Sequence, residues 1–430
     1  MLVNVYFENT SEVKIYSLAF TLFYLCIASI FAVSGDLLSM LGINYKLQGG
    51  SLLHKLHPSF YFIVLASLAL LLYRDGISVF KSVFYKKEIF YCLFICLFVL
   101  IYGYFVLANS LAPFIVAWIP PIILLAFLIE LNKGQRVALS YLVHFILFLN
   151  SFVGLYEFLT GSAVIPVSLI DYDSGEAFDV EEWEMWRARG LLGHPLTSTL
   201  VSACVLVYSF SRILFSKSVT WIEYFSFFHS LLSLPAFGGR ASIAIAILFV
   251  FIMSVYKTYR FIKGEEVSKS GLVFVHFILF SLPFAFFLVY LLGYFDPLIS
   301  RIEDDNGSAE TRIKALYILM DSSFLELLFG DIYKSLFTKQ LLYGTSLGIE
   351  IFWVGLILKY GLLVSALLLY ILYQLVRITV VKTGCGALWL FSVYFLALSS
   401  GVGLIAKTVS LSLIVCLPFC YSFGLYPDDE

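Results

Sequence analysis

Hydrophobic residues in this chain do not alternate with polar ones. They run in blocks, most of them about 20 residues long and separated by short polar connections. The blocks cover 15–33, 58–73, 89–108, 113–130, 137–159, 196–215, 219–237, 241–256, 271–292, 349–373, 386–403 and 408–424. They predict an all-α, polytopic bundle of about twelve transmembrane helices. Helices are required because backbone N–H and C=O groups in hydrocarbon must find partners within their own segment. The second block is short, and the last two are interrupted by glycine and proline.

The polar connections set an orientation. Lysine and arginine recur in every second one: Arg74, Lys81, Lys86 and Lys87; Lys133 and Arg136; Arg212 and Lys217; Lys257, Arg260, Lys263 and Lys269; Arg377 and Lys382. The positive-inside tendency assigns these connections, and both termini, to the cytoplasm. The connections at 34–57, near Asn109, and at 160–195, 238–240, 293–348 and 401–407 then face outward. The two longest, 160–195 and 293–348, share that outer side, and long loops carry function more often than short ones.

The second long loop has a pattern of its own. Ile313, Leu316, Tyr317 and Met320 fall at i, i+3, i+4 and i+7, which predicts an amphipathic helix over 310–320 lying on the membrane surface. Ser308 suits its N-cap, and Glu310 and Lys314 form an i,i+4 pair. Arg312 and Lys314 would project from its polar side. The segment 327–329 then runs into a turn at Gly330 and Asp331. This is the only element that reads as extramembranous, and the chain reads as one membrane domain, 1–430.

Composition removes other classes. The chain is 430 residues long, 61% hydrophobic and 13% charged, far from soluble-domain usage, and its mean hydropathy is +0.95. A net charge of −2 speaks against a nucleic-acid partner. Cys26, Cys92, Cys96, Cys204, Cys385, Cys416 and Cys420 fall in apolar stretches without metal-ligand spacing and read as buried hydrophobes. The N-terminal stretch, with Glu8, Glu12 and Lys14, lacks the basic region and cleavage site of a signal peptide, so the first span reads as retained. There is no Walker A, G-x-S-x-G or H-E-x-x-H motif and no dinucleotide fingerprint. An energy source would therefore arrive with the substrate.

Four cationic positions stand on the outer side: Arg187 and Arg189 in RARGLLGHP, Arg240 after Gly238 and Gly239, and Arg312. An arginine at a bundle edge is expensive unless it is paired, snorkelled or met by an anion. Its planar fork matches diphosphate oxygens with two parallel hydrogen bonds. The plainer alternative is that each arginine reaches a headgroup or pairs with the acidic run Asp171, Asp173, Glu176, Asp179, Glu181, Glu182 and Glu184. That run has no metal-loop signature and reads as a solvated face. His194, before Pro195, is either a general acid/base or a helix-capping residue. Glu350 either accepts a hydroxyl proton or is an acid favoured at a helix N-terminus. His144, Glu157, Glu223, His229, His276 and Lys359 are intramembrane ionisable groups, for which internal hydrogen bonding competes with function.

In layout, the chain resembles the O-antigen polymerase and O-antigen ligase superfamily of bacterial surface-polysaccharide assembly. The resemblance rests on Arg187, Arg189, Gly190, His194 and Pro195 before a span, and on Gly238, Gly239 and Arg240 before another. It extends to the Arg312-led helix running to Gly330 and to the span that opens after Glu350 and reads VGLILKYGLL. It covers about 185–365; the earlier spans match in hydropathy alone.

The resemblance implies a metal-independent, cofactor-free glycosyltransferase in the bacterial inner membrane, with its active face periplasmic. Its substrate would be an undecaprenyl-diphosphate-linked oligosaccharide, and a chain-length regulator would be a membrane partner. Arg240, Arg312 and one of Arg187 or Arg189 would hold the diphosphate, and His194 and Glu350 would be candidates for acceptor activation. The superfamily's ligases usually carry a histidine in the long outer loop, whereas 293–348 has none, which favours a polymerase. A ligase, and a multi-span transporter or flippase built on Glu157, Glu223 and His276, stand as alternatives.

Overall fold

A computed structural model describes residues 10–43, 45, 51–72, 86–165, 168–170, 177–179, 187–216, 219–265, 268–291, 308–345, 348–399, 401 and 403–421. Among the described residues the chain is helical, apart from one short antiparallel strand pair, Ser168–Ile170 with Ala177–Asp179. The helices are α1 (Thr10–Ala32), α2 (Gly35–Met40), α3 (Pro58–Leu72), α4 (Lys87–Phe105), α5 (Leu111–Glu130), α6 (Lys133–Thr160), α7 (Pro195–Phe215) and α8 (Trp221–Phe237). They continue with α9 (Arg240–Ile262), α10 (Lys269–Leu291), α11 (Ser308–Met320), α12 (Phe324–Phe329), α13 (Leu336–Leu342), α14 (Phe352–Thr383), α15 (Gly386–Leu398) and α16 (Ser410–Cys420).

Each apolar block of the sequence contains a helix among the described residues. Among the described residues, six are long and apolar enough to cross a membrane: α4, α5, α6, α7, α9 and α14. α3, α15, α16 and parts of α1 and α10 are shorter apolar helices. The chain is a multi-pass membrane protein. Its outer helices carry the apolar surface expected against lipid: Phe94, Leu97 and Phe105 of α4 and Leu248, Phe251 and Ile262 of α9 are exposed.

Local signals set the helix ends. Asn132 and Gln135 cap α6 reciprocally, and Gly161 ends it in the left-handed region. Glu223 accepts from the Thr220 N–H at the start of α8, and Gly238 ends that helix at φ 68°. α5 and α7 lie in the middle of the bundle. Most of α5 and nearly all of α7 are buried, α5 against α16 and α7 against α8, α9 and α15.

The basic connections gather at one end. Lys86 pairs with Glu130 at 2.6 Å and Arg377 with Glu88 at 3.9 Å. Arg212 faces Glu223 at 3.6 Å, and the Lys257 ammonium donates to the Leu214 carbonyl. A separate chain of contacts joins the remaining connections. The loop at 190–193 meets Asn150, Ser34 and Asp36, and buried His57 bonds to the Val33 carbonyl at 2.9 Å. Lys407 donates to the Tyr45 and Lys55 carbonyls, and Gly403 lies against Phe352.

Five details differ from the sequence reading. α14 continues to Thr383, so the turn expected at 374–385 shrinks to its last residues. α14 is also broken at Gly361 (φ 80°, ψ 163°), where its backbone abuts that of Phe329 and Gly330. A Cβ on Gly361 would lie 2.4 Å from the Gly330 nitrogen, so only glycine lets the two backbones meet. α11 packs on α14 through Ala315 and Ile318, against Ile349, Val354 and Leu358. The predicted stripe Ile313, Leu316, Tyr317 and Met320 remains exposed on its other side. Finally, α2, α12 and α13 are further short helices outside the apolar blocks, and Cys385 is exposed at a helix start instead of buried.

Candidate functional site

The loop 187–195 is held from below by α6. One carboxylate oxygen of Glu157 accepts the backbone N–H groups of Arg189 (2.7 Å) and Gly190 (2.9 Å), and the other accepts that of Val164 (3.0 Å). Buried Asn150, two turns earlier, accepts from Leu192 at 3.3 Å. Gly190 and Gly193 take φ 60° and 73°. A Cβ on Gly190 would lie 2.5 Å from the Asn150 side-chain oxygen, and one on Gly193 would lie 2.4 Å from the Ser34 Cβ. The glycines thus let the loop settle onto α6 and α2. Ser198 in the first turn of α7 donates to the Arg189 carbonyl at 2.5 Å.

The same loop touches the turn at 238–240. The Ala188 N–H donates to the Ala236 carbonyl at 3.3 Å, and Ala188, Ala236 and Phe237 form a small apolar cluster with Leu155 and Phe158. The Gly239 N–H donates to the Thr199 hydroxyl at 3.1 Å. Arg240 opens α9 directly after this contact. The fold therefore brings Arg187, Arg189 and Arg240 into one neighbourhood from segments about 50 residues apart. Arg189 lies 3.9 Å from buried Asp36 of α2, an anionic partner that sequence reasoning missed. Its only signal was Ser34, which accepts the Leu37 N–H and caps α2, placing Asp36 in the first turn.

Arg312 and Glu350 form a second pair, 3.9 Å apart and each a little over one third exposed. The Arg312 Nε, which faces Glu350, is buried and makes no hydrogen bond among the described residues. Between this pair and the Arg187 loop lies the 403–407 connection. There Lys407, which the sequence reading did not single out, stacks over the Tyr45 ring at 3.5 Å. Burial, and secondarily Lys55, pull its ammonium down to about 8. Burial likewise lowers His57 to about 4. Below, α12 and α13 are clamped by Glu326, which accepts from Ser323 (2.8 Å), Lys339 (3.0 Å) and Ser335. Burial opposes ionisation of Glu326, but these donors outweigh it and hold the carboxyl at about 2.

The other sequence candidates fall into place as follows. His194 caps α7, its Nδ1 accepting the Leu196 N–H at 3.2 Å, with Pro195 as the first helical residue. Glu350 precedes α14 and is not part of it. Glu157 and Glu223 bond to backbone groups, and Lys359 donates to the Ile405 carbonyl at 3.3 Å. His276 bonds to the Leu272 carbonyl of its own helix. His144 and His229 each bond a serine on the facing helix. The acidic run lies outside the described residues except for Asp179, which is in a strand. Among the described residues, no group of three or more His, Cys, Asp or Glu is placed to hold a metal.

Comparison of the chain with protein-family models, with curated proteins and with solved structures finds no match. What the site can do is therefore read from its geometry: three arginines and a lysine on loops braced by buried acceptors, beside backbone that glycine keeps close.

Proposed function

We propose that this protein is a membrane glycosyltransferase that joins oligosaccharide units carried on a polyprenyl diphosphate, a polymerase of surface polysaccharide. In this reading the chain is one membrane domain. It crosses the bilayer about twelve times by window hydropathy, with both termini cytoplasmic and the loops 160–195 and 293–348 outside. The membrane is the bacterial inner membrane.

The observation that carries the reading is the convergence of Arg187, Arg189 and Arg240 through the Ala188–Ala236 hydrogen bond and the Thr199–Gly239 bond. Guanidinium forks on braced loops suit a diphosphate, whose charge grows as the glycosyl bond breaks. In the reaction, the acceptor hydroxyl oxygen forms a bond to the donor's anomeric carbon. The bond from that carbon to the diphosphate oxygen breaks, and the hydroxyl proton leaves to a base or to the departing diphosphate. Arg240 and one of Arg187 or Arg189 hold the diphosphate. Arg312 adds a further cation, its Nε 3.9 Å from the Glu350 carboxylate. Glu350 beside it, or His194, takes the proton. The resemblance to the O-antigen polymerase and ligase superfamily in the order of these motifs supports the same reading.

The test is made with Arg240→Ala and Arg240→Lys in the native host, comparing surface-polysaccharide ladders at matched membrane abundance. Loss of long polymer in both, with single units still present, is expected. Loss of all surface glycan would point to a ligase or flippase, and unchanged ladders would remove Arg240 from the site.

A further inference from the structure

The three short helices α11, α12 and α13 are firmly built, yet much of what they leave uncovered is apolar. Ala315 and Ile318 of α11 are buried against Ile349, Val354 and Leu358. Glu326 of α12 accepts from Ser323, Ser335 and Lys339. One Asp331 carboxylate oxygen accepts the Ser335 and Leu336 N–H groups at 2.8 and 3.1 Å, which fixes the start of α13. Among the described residues nothing covers the remaining large side chains. Met320 is 79% exposed, Phe324 76%, Phe337 65% and Leu342 77%. Each helix shows the same habit: the α11 stripe, Leu325 and Phe329 of α12, and Phe337 and Leu341 of α13 recur at helical spacing and are exposed.

The unit docks on two helices of membrane-crossing length. Its Phe329–Gly330 backbone abuts Gly361 of α14, nine residues and ~13 Å along that helix from Phe352. The Tyr102 hydroxyl of α4 donates to the Phe329 carbonyl at 2.6 Å. α4 and α14 are both long and apolar enough to cross a membrane. On α4, Phe98, which stacks on Tyr102, is exposed together with Ile101 and Phe105. The apolar surface of a span therefore passes through the Tyr102–Phe329 contact onto α12. Large open apolar surfaces mark contact with protein or with membrane, and this one joins a surface that already faces lipid. Its polar members suit the same neighbour. Tyr317 and Tyr333 are exposed, and tyrosine gathers where bilayer meets water. Lys334 is exposed between α12 and α13; lysine is depleted in protein–protein contacts, whereas at a bilayer its stem lies along acyl chains and its ammonium reaches headgroup phosphate.

We propose that α11, α12 and α13 together form an interfacial platform whose exposed apolar side chains are immersed in the adjoining lipid leaflet, the bilayer being their partner. This goes beyond a single amphipathic helix resting on the membrane: α12 and α13 enter the leaflet as well, and the docking of Gly330 on Gly361 fixes the depth of all three. Amphipathic helices of this kind sink their apolar faces roughly 5–10 Å into the boundary between headgroups and acyl chains. Arg312, beside Ile313 on α11, is then set at headgroup depth. The lipid contact does not depend on the glycosyltransferase reading.

The test is nitroxide accessibility on the full-length protein in liposomes of phosphatidylethanolamine and phosphatidylglycerol. Cys385 is the one exposed cysteine among the seven, so Cys385→Ser provides the background. Met320→Cys, Phe337→Cys and Leu342→Cys are then spin-labelled one at a time, with Phe94→Cys of α4 as the lipid reference. Collisions with oxygen, which dissolves in lipid, are compared with collisions with a water-soluble nickel chelate. All three positions are expected to favour oxygen severalfold, as Phe94 does. Nickel-dominated collisions would place the helices in water and overturn the proposal. Exclusion of both reagents would mean a protein cover, from a second copy or another segment of the chain, and would overturn it equally. If a cysteine variant fails to fold, a membrane-partitioned carbene photolabel on the wild-type protein reads the same surface by mass spectrometry. Labelling of 316–342 as strong as that of 94–105 is expected, and absence of label there overturns the proposal.

Discussion

Glu157 is the residue on which the arginine loop depends, and removing it gives the sharpest test of the geometry. Its Oε2 accepts the Arg189 and Gly190 N–H groups at 2.7 and 2.9 Å from a side chain that is 1% exposed. A hydrogen bond to a charged acceptor contributes roughly 1.5–3 kcal/mol, and a buried donor left unpaired loses a similar amount. The loop is half-buried at Arg189, so water recovers part of this for Glu157→Ala. A net loss of about 3 kcal/mol in local stability remains, a factor of roughly one hundred. Glu157→Gln can place its carbonyl oxygen at the Oε2 position and keep the Arg189 and Gly190 bonds without the charge, while its amide nitrogen, at the Oε1 position, cannot accept the Val164 N–H. A neutral acceptor bonds about half as strongly, so the loss is about 1.5 kcal/mol, roughly tenfold. Amide hydrogen exchange on the purified protein in detergent reads these two amides directly, because local opening governs their rates. The expected order is wild type slowest, Gln roughly tenfold faster, Ala roughly one hundredfold faster, with the core of α7 unchanged. Exchange at 189–190 within about threefold of wild type in the Ala variant would refute the assignment of Glu157 as anchor.

Further outcomes follow from other contacts. Gly361→Ala forces a Cβ to 2.4 Å from the Gly330 nitrogen at φ 80°, so a loss of about 3 kcal/mol or more and a clearly lower melting temperature are expected. The carboxyl of Glu326 titrates near 2 in the fold, below its ordinary value of ~4.3. The stability it lends is complete above that ordinary value and is lost as pH falls from there through about 2. Melting curves from pH 7 to 3 should therefore fall more steeply for wild type than for Glu326→Gln. The Arg312–Glu350 pair, at 3.9 Å and partly exposed, contributes under about 1 kcal/mol to folding. Arg312→Lys should leave the melting temperature unchanged while cutting polymer yield at least roughly tenfold through loss of the fork; equal yield would exclude Arg312 from diphosphate binding.

The way α11 packs marks the limit of sequence reading. Its period was legible, because four apolar residues at helical spacing announce a helix whatever covers them. Which face meets protein was not. Ala315 and Ile318 turn inward onto α14, while the stripe of Ile313, Leu316, Tyr317 and Met320 stays exposed. The break in α14 was equally hidden. A glycine within VGLILKYGLL looks tolerated in a span, and its positive φ arises only because Gly330, 31 residues earlier, needs the space. His194 was read with two roles, and the capping geometry is now visible.

Local chemistry along the chain was sufficient for the helical class and the membrane setting, because hydropathy acts over a few residues at a time. Tertiary structure decided the rest: that Glu157 holds the arginine loop, that Ala188 docks on Ala236 to bring Arg187 and Arg189 to Arg240, that Asp36 and Lys407 stand nearby, and that two histidines face serines across one seam. Those contacts join residues tens to hundreds of positions apart. Their existence depends on how helices with similar apolar faces choose partners, and that choice is made by the packing of the whole bundle, not by any one segment.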